Sequence, residues 1–191
     1  MKVVLQNVVL RFADIFNAVE FKKGDGKPRF SASFLIEKGS ENDRLINAAI
    51  TEVMTEAWKD KAPAKIKMFM GQKQQCFYRD GDTLDYDGCG GKMFVAAHRN
   101  KFDKKGGLNA VPKIVDRAKQ PLTIESGKPY PGCTVNAIID IWPQVDENPG
   151  IRATLNVVQF VADGEPFAGN TPSTDDLPDL DNDIDDADDL V

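Results

Sequence analysis

Histidine is almost missing: His98 is the only one in 191 residues. A Ser-His-Asp or Cys-His device would depend on that one side chain, and no Ser lies in a G-x-S-x-G setting. Cysteine is also scarce. Cys76, Cys89 and Cys133 are an odd number at wide spacing with no C-x-x-C pair. That pattern supports neither a zinc site nor a disulfide framework, and it fits a reducing, cytoplasmic compartment. No apolar run reaches the ~18–20 residues of a membrane span. The opening MKVVLQNVVLRF is broken by Gln6 and Asn7 and lacks the cleavage site of a signal peptide. The glycines of GDTLDYDGCGG are followed by no G-K-[ST], so there is no P-loop. Asp80, Asp82, Asp85 and Asp87 miss the EF-hand spacing, with Asp85 where the turn glycine belongs. These absences leave no metal, no cofactor and no enzyme expected. A nuclease built on Asp80–Asp87 is the residual enzymatic alternative.

Positive charge is absent from the last seventeen residues. DDLPDLDNDIDDADDLV holds nine Asp and no Lys or Arg. The whole chain carries −6, so residues 1–174 alone carry +3. A segment this acidic cannot bury enough apolar surface to offset its ordering entropy, and it is expected to be disordered. The division is therefore a domain over 1–174 and an acidic tail over 175–191. Such a tail cannot hold a phosphate backbone, but it can compete with one for a basic groove. Asp175, Asp176, Asp179, Asp181, Asp183, Asp185, Asp186, Asp188 and Asp189 supply its charge. Leu177, Leu180, Ile184, Leu190 and Val191 add apolar contacts suited to a partner with a basic groove and a small apolar pocket.

Strand signals dominate the body. Residues 3–16 read as one long, bent strand, and 29–36 alternate with Phe30, Ala32, Phe34 and Ile36 on one face. The turn-rich 22–28 joins them as a hairpin. Residues 40–59 predict a helix capped by Ser40, with Asp43 at the capping-box position and Leu45, Ala48, Ala49, Val53 and Ala57 at helical spacing. APAKIKMFM (62–70) is expected to be a short strand, and CFYRD (76–80) another. Strands are further expected at 92–100, 111–116, 130–145 and 150–163, the last two as a hairpin across DENPG. Several strands with one helical insertion indicate a mostly β domain. The reading is an OB-fold, a five-stranded Greek-key barrel, with a sandwich as the alternative.

Aromatics beside cations mark the candidate binding surface. Phe77, Tyr78 and Arg79 adjoin, as do Lys92 and Phe94, and then His98, Arg99, Lys101, Phe102, Lys104 and Lys105. Single-stranded nucleic acid is held by aromatic faces that stack bases and cations that track phosphates. Arg11, Lys27, Arg29, Lys113 and Arg152 are further cations on or beside strands, and Trp142 is a weaker platform. DNA and RNA are not separated by such contacts. The competing class is an acidic interaction or inhibitor protein without DNA affinity.

Four stretches carry a resemblance: VVLRFADIF, GKPRFSASFLI, YPGCTVNAIIDIW and GIRATLNVVQFVADGEPFAG, together spanning most of 3–169. With these the chain resembles the single-stranded DNA-binding proteins of tailed bacteriophages. The resemblance implies an OB-fold that binds single-stranded DNA with little sequence preference in phage replication and recombination. It also implies an acidic tail that recruits a polymerase, helicase or primase of phage or host and suppresses binding when DNA is absent. In some such tails the final residue is aromatic; here residues 190–191 are Leu190 and Val191. A homo-dimer, with one subunit's tail over the other's groove, is a further possibility.

Overall fold

The computed structural model describes residues 1–167 apart from 21, 22, 25 and 73. Among them the order is β1 (Lys2–Glu20), β2 (Pro28–Glu37), α1 (Glu41–Trp58), α2 (Ala62–Met70), β3 (Tyr78–Asp80), β4 (Lys92–Asn100), β5 (Lys113–Val115), β6 (Thr134–Gln144) and β7 (Gly150–Ala162). The sheet runs β3-β4-β2-β1-β6-β7-β5, and a second pairing joins β4 to β7. That pairing, parallel between His98 and Thr154, closes β1, β2, β4, β7 and β6 into a five-stranded barrel. The architecture is the OB-fold, with α1 and α2 inserted between β2 and β3.

Period-two alternation builds the barrel wall. Ala32, Phe34 and Ile36 of β2 meet Val135, Ala137, Ile139 and Ile141 of β6 and Ile151, Ala153 and Leu155 of β7 in one buried core. β1 is long because it serves both neighbours, pairing with β6 through its first half and with β2 through its second. Its bend comes from three register shifts, Leu5 to Val8 against β6, and Leu10 to Phe12 and Asp14 to Val19 against β2. Bulges of this kind give a barrel strand its local twist.

Three expectations are corrected. APAKIKMFM is the helix α2, not a strand. Its apolar residues Ala62, Ile66, Phe69 and Met70 fall on one helical face, and Pro63 starts it where a missing N–H costs nothing. In α1 the buried stripe is Ile46, Ala49, Ile50, Val53 and Met54, whereas Leu45, Ala48 and Ala57 are exposed. The strand expected from 130 begins at Thr134, because Gly132 and Cys133 complete a turn closed by Cys133 N–H donating to the Tyr130 carbonyl.

A second apolar cluster lies outside the barrel. Leu35, Cys89 and Phe94 are buried there, with Val9, Leu84, Ala96 and Phe167 packed on them. Asp80 and Asp82 of the intervening loop clasp Lys38 Nζ at 2.7 and 2.6 Å. Lys38 holds the Asp80 carboxylate below the usual range, and the Gly91 N–H together with Lys38 does the same for Asp82, so both serve a structural ion pair.

Asp43 ties the helix to the barrel. Its N–H donates to Ser40 Oγ at 3.3 Å, its Oδ2 accepts from Gly39 N–H at 2.6 Å, and its Oδ1 accepts from Tyr78 Oη at 2.7 Å. Tyr78→Phe removes a buried hydrogen bond to a carboxylate, worth about 1.5–3 kcal/mol. In a domain of this size the melting temperature should fall by roughly 3–10 °C. Nucleic-acid affinity should stay unchanged; thermal melts paired with a binding titration check both.

Candidate nucleic-acid interface

The outward rows of β1, β2 and β4 form one continuous surface. Phe12 lies opposite Ser33 and Asp14 opposite Ser31. Across the next pair, Ser33 faces Ala96, Ser31 faces His98 and Arg29 faces Asn100. His98 leads on to Thr154 through the closing bridge, and Trp142 Nε1 donates to Thr154 Oγ1 at 3.0 Å. The floor is therefore small and polar, as an approaching chain of nucleotides requires.

Aromatic groups stand at both ends. Phe12 and Tyr86 are 38% and 42% exposed, with ring centroids 5.3 Å apart in edge-to-face contact. The buried Phe94 supports both from below, at 6.3 and 6.2 Å. Arg11 lies between Phe12 and Phe167, its Cζ 4.5 and 4.3 Å from their centroids, and its Nε donates to the Asp87 carbonyl. At the other end, a loop follows β4. Lys101 N–H donates to the Pro28 carbonyl, and Asp103 Oδ1 accepts from the N–H groups of Lys105 and Gly107. This fold-back presents Phe102, 40% exposed, with Lys101 Nζ 5.5 Å from its ring and Lys104 and Lys105 in solvent.

The structure thus brings Arg29, His98, Lys101, Phe102, Lys104 and Lys105 together, with Arg11 at the far end. It removes others. Phe77, Tyr78 and Phe94 are 6%, 1% and 2% exposed and cannot offer a ring face to a base. Arg79 lies over Phe94, Cζ 4.8 Å from the centroid, and burial lowers its pKa. Arg99 bonds the Leu155 carbonyl and Asn156 Oδ1, so it fastens β4 to β7. Arg152 spends its donors on Gln144 Oε1 and the carbonyls of Gln74 and Asn148. Lys92 is 3.5 Å from Glu37. Lys113 borders a separate groove with Val4, Ile138 and Val157 on the other side of the barrel. The acidic residues 175–191 lie outside the described residues.

Phe12 and Tyr86 are the residues that sequence reading missed. Leu10 is buried, and simple alternation assigns Phe12 to the same inward row. The register shift makes Arg11 the extra residue and turns Phe12 outward. No side-chain pattern announces a bulge. Tyr86 sits in a loop too irregular for periodicity to place.

Over residues 1–191 the sequence matches the family described as Enterobacter phage Enc34, ssDNA-binding protein. A relative from Acyrthosiphon pisum secondary endosymbiont phage 1, named putative protein p50, is 35% identical over 172 residues, 88% of either chain. The solved single-stranded DNA-binding protein from bacteriophage Enc34, in complex with ssDNA, has a TM-score of 0.69 at 21% identity. That likeness covers 87% of this chain and 89% of the other. The single-stranded DNA-binding protein gp2.5 of bacteriophage T7 has a TM-score of 0.60 at 12% identity, over 90% and 97% of the two chains. At these identities the two solved structures establish the shared fold.

His98 carries the pH dependence of this surface. Burial, with Arg29 and Arg152 nearby, pushes its pKa down to about 4 from the usual 6.5. At neutral pH it is therefore a neutral hydrogen-bonding group. Its folded pKa lies below the unfolded one, so the unfolded chain binds more protons between those values. Stability should fall by about 2–3 kcal/mol as pH drops from 7 to 4 on account of this group. Denaturant melts across that range should show a shallower decline in His98→Gln.

Proposed function

The chain belongs to the Enc34 single-stranded DNA-binding protein family, and from that premise we propose how it works. The outer β1–β2–β4 face holds single-stranded DNA with little sequence preference, in the host cytoplasm, during phage DNA replication and recombination. OB-folds use the face of their second and third strands, with adjoining loops, for oligonucleotides. In this barrel those strands are β2 and β4. The observation that carries the reading is the exposed Phe12–Tyr86 pair, braced by Phe94 and flanked by Arg11, at one end of that face. Bases stack on Phe12, Tyr86 and Phe102, with Trp142 at the side. Arg11, Arg29, Lys101, Lys104 and Lys105 follow the phosphates.

The acidic tail competes for the same face and recruits replication proteins. Support comes from where the body ends. Phe167, the last described residue, packs beside Gly88 and under Arg11, whose guanidinium also covers Phe12. Only residues 168–174 separate this end of the interface from the acidic tail in sequence. Seventeen extended residues reach up to roughly 60 Å, against a body radius of gyration of roughly 16 Å. The length is ample for the tail to lie along the face, in its own subunit or in the second subunit of a dimer.

Fluorescence anisotropy with labelled oligo-dT and a matched duplex tests both parts. Binding should favour the single strand, with a salt slope of about −2 to −3.5 if roughly 3–5 phosphates are neutralised. Removing residues 175–191 should tighten binding, most at low salt, because screening weakens tail and DNA alike. Equal affinity with and without the tail across that salt range would end the competitor reading. Phe12→Ala should weaken oligo-dT binding by roughly 5–100-fold, the loss of one stacked base. Its melting temperature should hardly change, since the ring is exposed.

A further inference from the structure

The β1 row of the interface carries a negative charge. Asp14 lies two residues from Phe12 on the same outward face, while Ala13 between them packs on the core. It is exposed, and its Oδ2 accepts from Ser31 Oγ at 3.1 Å across the strand pair. That bond fixes the carboxylate at the middle of the surface, between the Phe12–Tyr86 aromatics and the row of Ser31 and His98.

A fixed carboxylate sorts the parts of a nucleotide. Phosphate oxygens are repelled from it, whereas the N–H groups of a base edge are attracted. Arg11 marks the Phe12 end of the surface, and the other cations of the interface lie off β1: Arg29 is two residues from Ser31 on β2, and Lys101, Lys104 and Lys105 are in the loop after β4. The backbone is thereby directed toward β2, β4 and that loop, and the bases toward β1. Base edges are not equal before a carboxylate. Guanine offers two adjacent donors, N1–H and the N2 amino group, spaced for two carboxylate oxygens. Cytosine and adenine each offer an amino group beside a ring acceptor. Thymine offers one N–H between two carbonyls. A carboxylate oxygen that accepts from Ser31 retains a second lone pair for a base.

We propose that Asp14 is a specificity-determining residue that gives the bound strand a preference for guanine at one position. This rests on the single-stranded DNA-binding reading of the same face. It adds a modest bias to a surface otherwise read by stacking.

The test is anisotropy competition with the full-length chain against a labelled thymine tract, in lithium salt to suppress quadruplexes. The competitors are a thymine tract, the same tract with guanine at every third position, and that sequence with inosine for guanine. Inosine keeps N1–H and lacks the N2 amino group. The guanine competitor should be about fivefold better than either of the others, the scale of one directional base contact. In Asp14→Asn, with an unchanged melting temperature, that ratio should fall below about twofold. Affinity for the thymine tract should be kept or raised. No guanine preference in the unaltered chain, or an equal preference in Asp14→Asn, overturns the inference while leaving single-strand binding intact. Failure to bind any of the three overturns the underlying reading as well.

Discussion

Closure of the barrel between β4 and β7 is the constraint on which the binding face depends. The backbone contact is slight, one parallel bridge between His98 and Thr154. Arg99 makes it secure by donating to the Leu155 carbonyl and to Asn156, and Asn156 in turn donates to Asp140 on β6. An arginine held in this way is a strut. It is joined by residues 75–77, whose backbone links Ala96 of β4 to Ile151 of β7. Cations therefore serve two purposes here. Those whose donors end on main-chain oxygens, Arg99 and Arg152, shape the barrel. Those in the loop after β4 remain in solvent.

Much of the fold was legible because strands with one wet face announce themselves. The alternation of 29–36, the paired strands across DENPG and the capping pattern at Ser40 all appear in the structure. Legibility failed where two rules compete. Residues 62–70 are short and apolar enough to pass for a strand, and their helical spacing emerges only with Phe69 buried under α1 and in edge-to-face contact with Trp58. Alternation was equally unable to say which side of β4 is wet, because neither is wholly so. Val95 faces the barrel core, and Phe94 faces a second cluster that also includes Cys89 and Leu84 of the preceding loop and Phe167.

That second cluster explains why the candidate site was only half legible. Sequence proximity of aromatics and cations singled out both the 98–105 region, where Phe102 is exposed, and 77–79, where both rings are buried. Phe77 and Tyr78 lie under the barrel's edge, where Tyr78 serves the helix cap through Asp43. The exposed aromatic pair came from segments seventy-four residues apart, β1 and the loop before β4, joined only by tertiary packing. A bulge at Arg11 and a loop tyrosine leave no periodic trace.

Packing of the chain's last described segment links the surface to the acidic sequence beyond it. Gly132 has φ of +109°, and a Cβ there would come within 2.2 Å of the Glu165 carbonyl oxygen. The strand exit therefore runs flush against the turn before β6, and Tyr130 and Lys128 hold Asp163 beside it. Phe167 then fills the space over Gly88, a position with φ of +77° where a Cβ would collide with its ring. Such close contacts hold Phe167 beside Gly88 and Arg11. An acidic segment attached anywhere on the molecule would lower the net charge. In the proposed competitor model, a tail separated from Phe167 by residues 168–174 has its local concentration over the binding face set by a short tether. In that model the placement of Phe167, more than the number of aspartates, would couple the tail to the groove.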